Sequence, residues 1–368
     1  MSEAFDVAVI GGGPAGCATA LTARAGGLSV AILERSPHLE LRVGEVLPPA
    51  VRSVLDTLGL WDAFLADGHV SSPAIRIGWG DEALIEQNHF YNPHGVGWHI
   101  DRARFDGMLM RAAEEAGVFI KRAAPATFYP RPSRTWLIGL QSGGDPCQLQ
   151  ARFLVDATGR SSAVARQLGL RRLRKDNLIG VIGCFAPGRT HDPPDAVTLI
   201  EAATHGWWYS ASMPDSSIVV CYLTDADLYA RDRHQPGRSW IDHLSRTIHM
   251  RARLDGRKVT LGPTLVAANS SRINRFSGEN WLAVGDAALA FDPLAGQGIY
   301  RALESGTQAG HVIRSHLSSD CSALADYDRA LEGAFYDFLL LRTTYYGQEK
   351  RWPDSLFWRR RYSTQSEG

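Results

Sequence analysis

The feature that most constrains this chain is its glycine-rich N-terminal segment, FDVAVIGGGPAGCATALTARAGGLSVAILER. A β-rich run at Phe5–Ile10 precedes glycines in the pattern G-x-G-x-x-G. A helix of small residues and a second strand, Ser29–Leu33, come next. This strand–helix–strand context predicts a Rossmann-like dinucleotide-binding unit, because the glycines allow a tight turn and a close approach of backbone to pyrophosphate.

Each position in this segment has an expected role. The start of the helix supplies N–H groups and a positive dipole for the pyrophosphate. Glu34, which ends the second strand, is placed to accept hydrogen bonds from the adenosine ribose, and for this reason FAD is expected in preference to FMN. The residues expected to bind the dinucleotide here are Gly11, Gly13, Ala15, Gly16, Glu34 and Arg35.

Two later segments complete the pattern. In FLVDATGRSSAVARQLGL an apolar strand leads into Asp156, and in NWLAVGDAALAFDPLAGQGIYRALESG a strand leads into Gly285 and Asp286. Together the three segments resemble the glycine-rich, DG and GD motifs of FAD-dependent monooxygenases of the hydroxybenzoate-hydroxylase fold. The resemblance implies that Asp156, Gly285 and Asp286 are cofactor-binding residues. It also implies that Asp286 binds the ribityl chain of the flavin rather than only capping a helix.

The same resemblance extends to the segments around these motifs. It implies that the helix after DPLAGQG points its N-terminus at the pyrimidine edge of the flavin, through Gly296, Gln297, Gly298 and Ile299. It also implies that the segment LRVGEVLPP runs past the flavin ring, with Arg42 reaching the pyrophosphate and Glu45 beside the ring. Arg102 is a second candidate for the dinucleotide. A surface cation is the alternative for either arginine.

The predicted fold class is α/β: a Rossmann-like FAD-binding domain, a second β-sheet substrate domain and a helical C-terminus. The FAD-binding domain is expected to be discontinuous, over residues 1–70, 99–171 and 268–320. Residues 71–98 and 172–267 alternate like strands and are assigned to the substrate domain, and residues 321–368 to a helical, partner-contact segment.

Composition narrows the function classes. The chain of 368 residues is 45% apolar with a formal net charge of zero, which argues against a nucleic-acid or membrane-surface partner. Its five cysteines lack metal-type spacing, so we expect no metal and a reduced, cytoplasmic setting. The acidic N-terminus does not resemble a signal peptide, and no apolar run is long enough for a membrane helix.

VGEVLPP, GWWYSASMP and FDPLAGQGI resemble the tryptophan-halogenase branch of the family. Halogenases of that branch use a lysine shortly after the GE box to handle hypohalous acid. The first lysine of this chain is Lys121, far beyond Glu45. Halogenation is therefore not expected, whatever the overall resemblance.

GWWYSASMPD, YLTDADL and the C-terminal YYGQEKRWPDSLFWRRR resemble a narrower group, the flavoprotein maturases of quinone-cofactor enzymes. This group includes the maturation proteins of lysine ε-oxidase and glycine oxidase and the tryptophan hydroxylase of quinohemoprotein amine dehydrogenase. The resemblance implies that the substrate is a tryptophan within a quinoprotein precursor polypeptide. O2 and NADH or NADPH, or an externally reduced flavin from a reductase, would supply the oxygen and the electrons.

The candidate catalytic residues are Trp207, Tyr209, His99 and Glu45. Reduced flavin and O2 deliver an electrophilic oxygen, and this chemistry requires an electron-rich ring such as indole and few acid–base groups. Alternate residues of a strand share a face, so Trp207 and Tyr209 can form a pocket wall while Trp208 packs in a core. For His99 a buried interface role is the alternative to a place near the flavin ring.

Other interpretations stay open at this point. A small-molecule aromatic monooxygenase or reductase of the same fold and a non-catalytic flavin-binding escort protein fit the same motifs. The aromatic and basic tail from Tyr345 onwards fits either a partner-binding surface or a helix that packs on the FAD-binding domain.

Overall fold

The computed structural model describes residues 3–35, 44–122, 124–141, 147–188, 195–231 and 236–362. Its strands are β1 Glu3–Ile10, β2 Val30–Glu34, β3 Val46–Leu47, β4 Val70–Ser72, β5 Ala74–Gly78, β6 Ile85–Asn88, β7 Gly97–His99, β8 Phe119–Arg122, β9 Ala124–Pro130, β10 Trp136–Gln141, β11 Cys147–Asp156, β12 Arg172–Arg174, β13 Leu178–Phe185, β14 Thr198–Ala203, β15 Gly206–Ser212, β16 Ile218–Asp225, β17 Val259–Ala267, β18 Ser271–Ile273, β19 Ser277–Gly278, β20 Trp281–Ala283 and β21 Leu289–Ala290. Its helices are α1 Pro14–Ala25, α2 Val51–Thr57, α3 Trp61–Ala66, α4 Arg102–Glu115, α5 Ala163–Gln167, α6 Ala226–Arg231, α7 Pro236–Ser245, α8 His249–Leu254, α9 Gly298–Leu317, α10 Ala323–Gln348 and α11 Leu356–Tyr362. Short 3-10 turns lie at Gly159–Ser161, Gly285–Ala287 and Pro293–Ala295.

The first sheet has the strand order β19-β20-β11-β1-β2-β8, and β10 and β9 extend it from β11. Strand β1 runs parallel to both β2 and β11, and β20 runs parallel to β11. The C-terminal half of β1 and all of β2 are buried, as expected of continuous apolar strands in a parallel sheet. The three glycine-containing motifs follow β1, β11 and β20, so they come together at one edge of this sheet.

Helices α1 and α9 pack closely through small residues. A Cβ atom at Gly306 would lie 2.3 Å from the carbonyl oxygen of Ala15, and one at Gly310 would lie 2.5 Å from Cβ of Thr22. Only glycine lets the two backbones approach this far. The contact fixes the start of α9 relative to the glycine-rich loop that begins α1.

The second sheet has the order β17-β13-β16-β15-β14-β5-β6 and is antiparallel except for the β14–β5 pair. Alternation along β15 sends neighbouring side chains to opposite faces. Trp208 stacks on Tyr222 at a ring separation of 4.6 Å and packs with Trp240 in a core that excludes Trp207. Trp207 lies on the other face, which is turned toward the first sheet.

The C-terminal segment packs into the molecule. Phe357 and Trp358 are buried with Trp207 in one apolar cluster, and Arg361 of α11 pairs with Asp225 of β16 at 2.8 Å. The interpretation of these tail residues as an open, partner-binding surface is therefore wrong, and deleting 351–368 would remove part of the core. The α/β class with a second sheet and a helical C-terminus is confirmed. In the part of the chain that the structure describes, no helix is both long enough and apolar enough to cross a membrane.

Candidate active site

A cavity of about 1150 Å³ lies between the two sheets. One side is built by the glycine-rich loop, the start of α9 and the turns after β11 and β20. The other side is the face of the second sheet that carries Trp207 and Tyr209. The volume lies above the usual range for small-molecule pockets and leaves room for a dinucleotide cofactor with a substrate beside it.

The glycine-rich loop has the shape of a cofactor cradle. Gly11 has a φ of +109°, and a Cβ there would lie 2.3 Å from the carbonyl oxygen of Ala157. A Cβ at Gly16 would lie 2.0 Å from the carbonyl oxygen of Gly11. Gly13 is different, because a Cβ there meets no atom within 4 Å and would point into open space. Gly11 and Gly16 are required by the fold, whereas Gly13 keeps the cavity free, as a pyrophosphate would need.

Glu34 lies at the cavity wall with only 8% of its surface exposed. Its Oε2 accepts a hydrogen bond of 2.6 Å from the backbone N–H of Gly12, which fixes the carboxylate beside the loop. Arg35 is exposed and lines the same part of the cavity. This arrangement fits the ribose-binding role predicted for Glu34.

The turn after β20 contributes Asp286 to the cavity. Gly285 has a φ of +53°, and a Cβ there would lie 2.7 Å from Cβ of Ala15, so this turn and α1 fit only with glycine. Gly285 and Gly16 therefore support the site from behind, since neither lines the cavity. The Asp286 carboxylate lines it, with Oδ2 3.4 Å from Nε of Arg160.

Asp156 does not have the role that the sequence predicted. It is fully buried and outside the cavity lining. Its Oδ1 accepts from the N–H and hydroxyl of Thr158 at 3.1 and 2.6 Å, and Oδ2 accepts from the N–H of Ala165 at 2.9 Å. Asp156 holds the turn between β11 and α5 in place of contacting the cofactor.

Gly296, Gln297, Gly298 and Ile299 all line the cavity, where the 20-residue helix α9 begins. The first N–H groups of a helix have no partner within it and carry a partial positive charge. The helix therefore presents donors to the cavity, as an anionic flavin edge requires.

Of the two predicted arginines, Arg42 lies outside the described residues. Arg102 lines the cavity beside Gly44, and its Nη2 is 3.1 Å from Oδ2 of Asp106 on the same helix. This ion pair holds the guanidinium at the cavity wall.

The second sheet and the segment around β3 form an aromatic wall that contains a hydrogen-bonded polar pair, Tyr209 and Glu45. Trp207 and Tyr209 line the cavity together with Glu45, which precedes β3. The Tyr209 hydroxyl donates to Oε2 of Glu45 at 3.1 Å. Burial raises the pKa of Glu45, and burial together with the Glu45 carboxylate raises the pKa of Tyr209. Tyr209 therefore keeps its hydroxyl proton and donates it in a hydrogen bond to the Glu45 carboxylate at the cavity wall.

His99 lies away from the cavity lining and is fully buried. Its Nε2 is hydrogen-bonded to Oγ1 of Thr198 at 2.8 Å, which ties β7 to β14. Burial lowers the pKa of His99 to about 3, so the ring is neutral. The prediction of a catalytic position for His99 is wrong, and its role is that of an interface histidine.

Three residues of this region have roles that the sequence did not predict. Arg160 and Arg301 line the cavity, and Tyr346 of α10 hydrogen-bonds to Trp207. Arg160 follows the DG motif, so its position carried a usable signal. Arg301 lies in ordinary helical sequence, and Tyr346 lies in the aromatic tail segment, where no local pattern indicates a contact with Trp207.

The fold and the cradle define a flavin-dependent oxidoreductase. The chain belongs to the FAD binding domain family, which it matches over residues 4–330. It is 31% identical over 377 residues to a protein named as the FAD-dependent oxidoreductase LodB of Marinomonas mediterranea, with 98% of each chain covered. The predicted binding of FAD is confirmed at the level of this family.

Two solved structures place the chain further. The flavin-dependent halogenase CmlS matches with a TM-score of 0.88 at 26% identity, over 98% of this chain and 68% of that one. QhpG, a peptidyl tryptophan dihydroxylase essential for tryptophylquinone cofactor biogenesis, matches with a TM-score of 0.78 at 25% identity, over 98% of this chain and 79% of that one. The first similarity agrees with the halogenase-like branch, and the second is a similarity to a tryptophan dihydroxylase of quinone cofactor biogenesis.

Proposed function

We propose that this protein is an FAD-dependent monooxygenase that hydroxylates a tryptophan side chain of a partner polypeptide during biogenesis of a tryptophylquinone cofactor. The observation that carries the proposal is the continuity of the cavity from the FAD cradle to the wall formed by Trp207, Tyr209 and Glu45. The similarity to QhpG, whose substrate is a peptidyl tryptophan, supports the choice of substrate.

FAD, when bound and reduced, supplies an electrophilic oxygen derived from O2. The residues of this chain bind and orient the ring that receives it. Trp207 and Tyr209 offer aromatic faces to an indole, and Trp207 is itself fixed by the hydrogen bond from its Nε1 to the Tyr346 hydroxyl at 2.9 Å.

Glu45 is the group that can move a proton in this wall. A ring carbon that gains a hydroxyl loses its hydrogen as a proton, and the Glu45 carboxylate, whose Oε2 accepts from Tyr209, lines the cavity. Its raised pKa makes it a better proton acceptor than an exposed carboxylate. We assign Glu45 as the general base and Tyr209 as the residue that orients it.

Hydroxylation is favoured over halogenation by the cations of the cavity. Among the described residues that line it, the cationic side chains are arginines and none is a lysine, and burial lowers the pKa of the lining histidine, His89. The lysine that halogenases use to handle hypohalous acid therefore has no counterpart in this lining. The proposal includes reduction of the flavin either directly by NADH or NADPH or by a separate flavin reductase.

A test uses the full chain with FAD, co-expressed with a candidate quinoprotein precursor. The expected result is a gain of one or two oxygen atoms on a single tryptophan, found by peptide mass spectrometry. The same precursor with that tryptophan changed to phenylalanine is the control and should gain none. Assays with chloride or bromide present should give no halogenated product. Equal hydroxylation of free tryptophan, or a halogenated peptide, would contradict the proposal.

One observation favours a second candidate, a small-molecule aromatic monooxygenase. Arg301 lines the cavity, donates from Nε to Oε1 of Gln297 at 3.1 Å and lies over the ring of Phe291. It makes no ion pair with any residue in the described ranges. A free cation of this kind suits the carboxylate of a small aromatic acid. If free aromatic acids were hydroxylated and no polypeptide was, and Arg301→Ala weakened that turnover, this second candidate would be the better one.

A further inference from the structure

Three separate parts of the chain meet at one buried hydroxyl. Trp207 of β15 donates from Nε1 to the Tyr346 hydroxyl at 2.9 Å. The Tyr346 hydroxyl donates to Oδ2 of Asp292 at 2.8 Å. Tyr346 is fully buried, and Asp292 is only 2% exposed. The hydroxyl of an α10 residue thus connects the second sheet to the loop between β21 and α9.

The direction of each hydrogen bond follows from the groups involved. An indole Nε1–H can only donate, so the Tyr346 oxygen accepts from Trp207 and its proton is left for Asp292. The same Oδ2 of Asp292 accepts from Nε of Arg342 at 3.0 Å. Burial and the Asp292 carboxylate raise the pKa of Tyr346, so the hydroxyl keeps its proton. Each of these hydrogen bonds can therefore run in one direction only.

Asp292 connects this hydroxyl to the cofactor side of the cavity. Its Oδ1 accepts from the N–H of Leu294 at 3.0 Å and begins the turn Pro293–Ala295. Gly296 and Gln297, which line the cavity at the start of α9, follow directly. Trp207 lines the opposite wall, so both ends of the connection reach the cavity while Tyr346 lies behind it.

We propose that Tyr346 is a positioning residue that sets the spacing between the Trp207 wall and the segment at the start of α9 that holds the flavin. The expected effects on turnover rest on the proposed function, whereas the positioning role itself does not. The physical argument is that oxygen transfer depends steeply on alignment, and a shift of about 1 Å can cost roughly 100-fold in rate. Tyr346 acts through Trp207 and Asp292 and does not line the cavity itself.

The test is Tyr346→Phe in the full chain with FAD bound. The ring and its contacts with Trp79 and Trp358 stay, and only the hydroxyl is lost. Tyr327→Phe is the matched control: Tyr327 is also a buried tyrosine of α10, but its hydroxyl donates to the carbonyl oxygen of Ala283 at 2.8 Å, outside the cavity. Tyr346→Phe loses two buried hydrogen bonds and Tyr327→Phe loses one, so both variants should lose stability, and the flavin and peroxide readouts separate a positioning effect from that loss.

We expect Tyr346→Phe to lower kcat about tenfold with little change in KM, and to divert a larger fraction of reduced flavin to hydrogen peroxide. Tyr327→Phe should leave that fraction unchanged. Two readouts do not depend on any substrate: the absorption spectrum of bound FAD, and the indole N–H resonance of Trp207, assigned with Trp207→Phe. Both should shift in Tyr346→Phe alone.

The outcomes separate this inference from the proposed function. If no polypeptide is hydroxylated but the flavin spectrum and the Trp207 resonance shift only in Tyr346→Phe, the proposed function fails and the positioning role stands. If both variants change the flavin spectrum, the peroxide fraction and the resonance alike, or neither does, the positioning role is overturned.

Discussion

The two sides of the cavity are built on different physical principles. The cofactor side is made by backbone and by the absence of side chains, at Gly11, Gly13 and Gly16. The substrate side is made by side chains that hydrogen-bond to residues far away in sequence, as Tyr209 does to Glu45. A side chain added on the first side would collide with the backbone or occupy the place of the cofactor, whereas the second side depends on the geometry of a few hydrogen bonds. Substitutions should therefore fail in different ways on the two sides.

The largest expected effect is on the cofactor side, with Gly13→Val. Gly13 has a φ of −75° and open space at Cβ, so valine should fit the fold but occupy the place of the pyrophosphate. We expect FAD affinity to fall by more than about 100-fold, or roughly 2.8 kcal/mol, measured by equilibrium titration. The control is Gly333→Val on α10, where a Cβ also meets no atom within 4 Å but the residue does not line this cavity. Full FAD occupancy in Gly13→Val would show that the cradle is assigned wrongly.

The next-largest effect is expected from Glu45→Gln, which tests the Tyr209–Glu45 pair on the substrate side. Glutamine keeps the hydrogen bond from Tyr209 but cannot take up a proton. We expect kcat to fall between about 10- and 100-fold while FAD stays bound, because a general base contributes on this order or more. Tyr209→Phe is the comparison variant, since it removes the orienting hydroxyl and leaves the base. Its kcat should fall by less than that of Glu45→Gln. Similar losses in both variants would argue for an orienting role alone.

The third effect compares the two faces of one strand through Trp207→Phe and Trp208→Phe. Both tryptophans are buried, but Trp207 lines the cavity and Trp208 packs with Tyr222 on the far face. We expect Trp207→Phe to lower kcat about fivefold through looser positioning. Trp208→Phe should lower only the free energy of unfolding, by about 1 kcal/mol. Steady-state kinetics and urea unfolding of both variants would show whether the two faces are separate in function.

The smallest expected effect is on stability, and its sign depends on pH. Because burial raises the pKa of Glu45, the folded chain holds this proton more tightly than the unfolded chain does. The stability linked to that proton is present below the unfolded-state pKa and is lost as pH rises through the raised value. Glu45→Gln should therefore be more stable than the wild type at neutral pH, and this gain, measured by urea unfolding at several pH values, should disappear in acid. A gain that is independent of pH would contradict a raised pKa at Glu45.

The cofactor side can be predicted from the order of residues along the chain. Gly11, Gly16 and Gly285 are fixed by steric conflict with backbone or Cβ atoms close to them, and Glu34 is fixed by its place at the end of β2. The contacts of Gly16 with Gly11 and of Glu34 with Gly12 lie within the first strand–helix–strand unit, whereas Gly11 meets Ala157 and Gly285 meets Ala15 of another unit. Each of these residues stands at a fixed place in a glycine-containing motif, and the motif can be recognised in the sequence. The alternation along β15 likewise assigns Trp207 and Trp208 to opposite faces of the strand.

The remaining assignments depend on how distant elements pack together. Asp156 lies in a motif that resembles a cofactor contact, yet the N–H groups around its turn take both of its oxygens. His99 stands next to residues of the site and is still buried against Thr198. Tyr346 reaches Trp207 across 139 positions of sequence. Whether a polar side chain faces a cavity or a buried partner is set by the elements that pack against it, and no local pattern of residues records that choice.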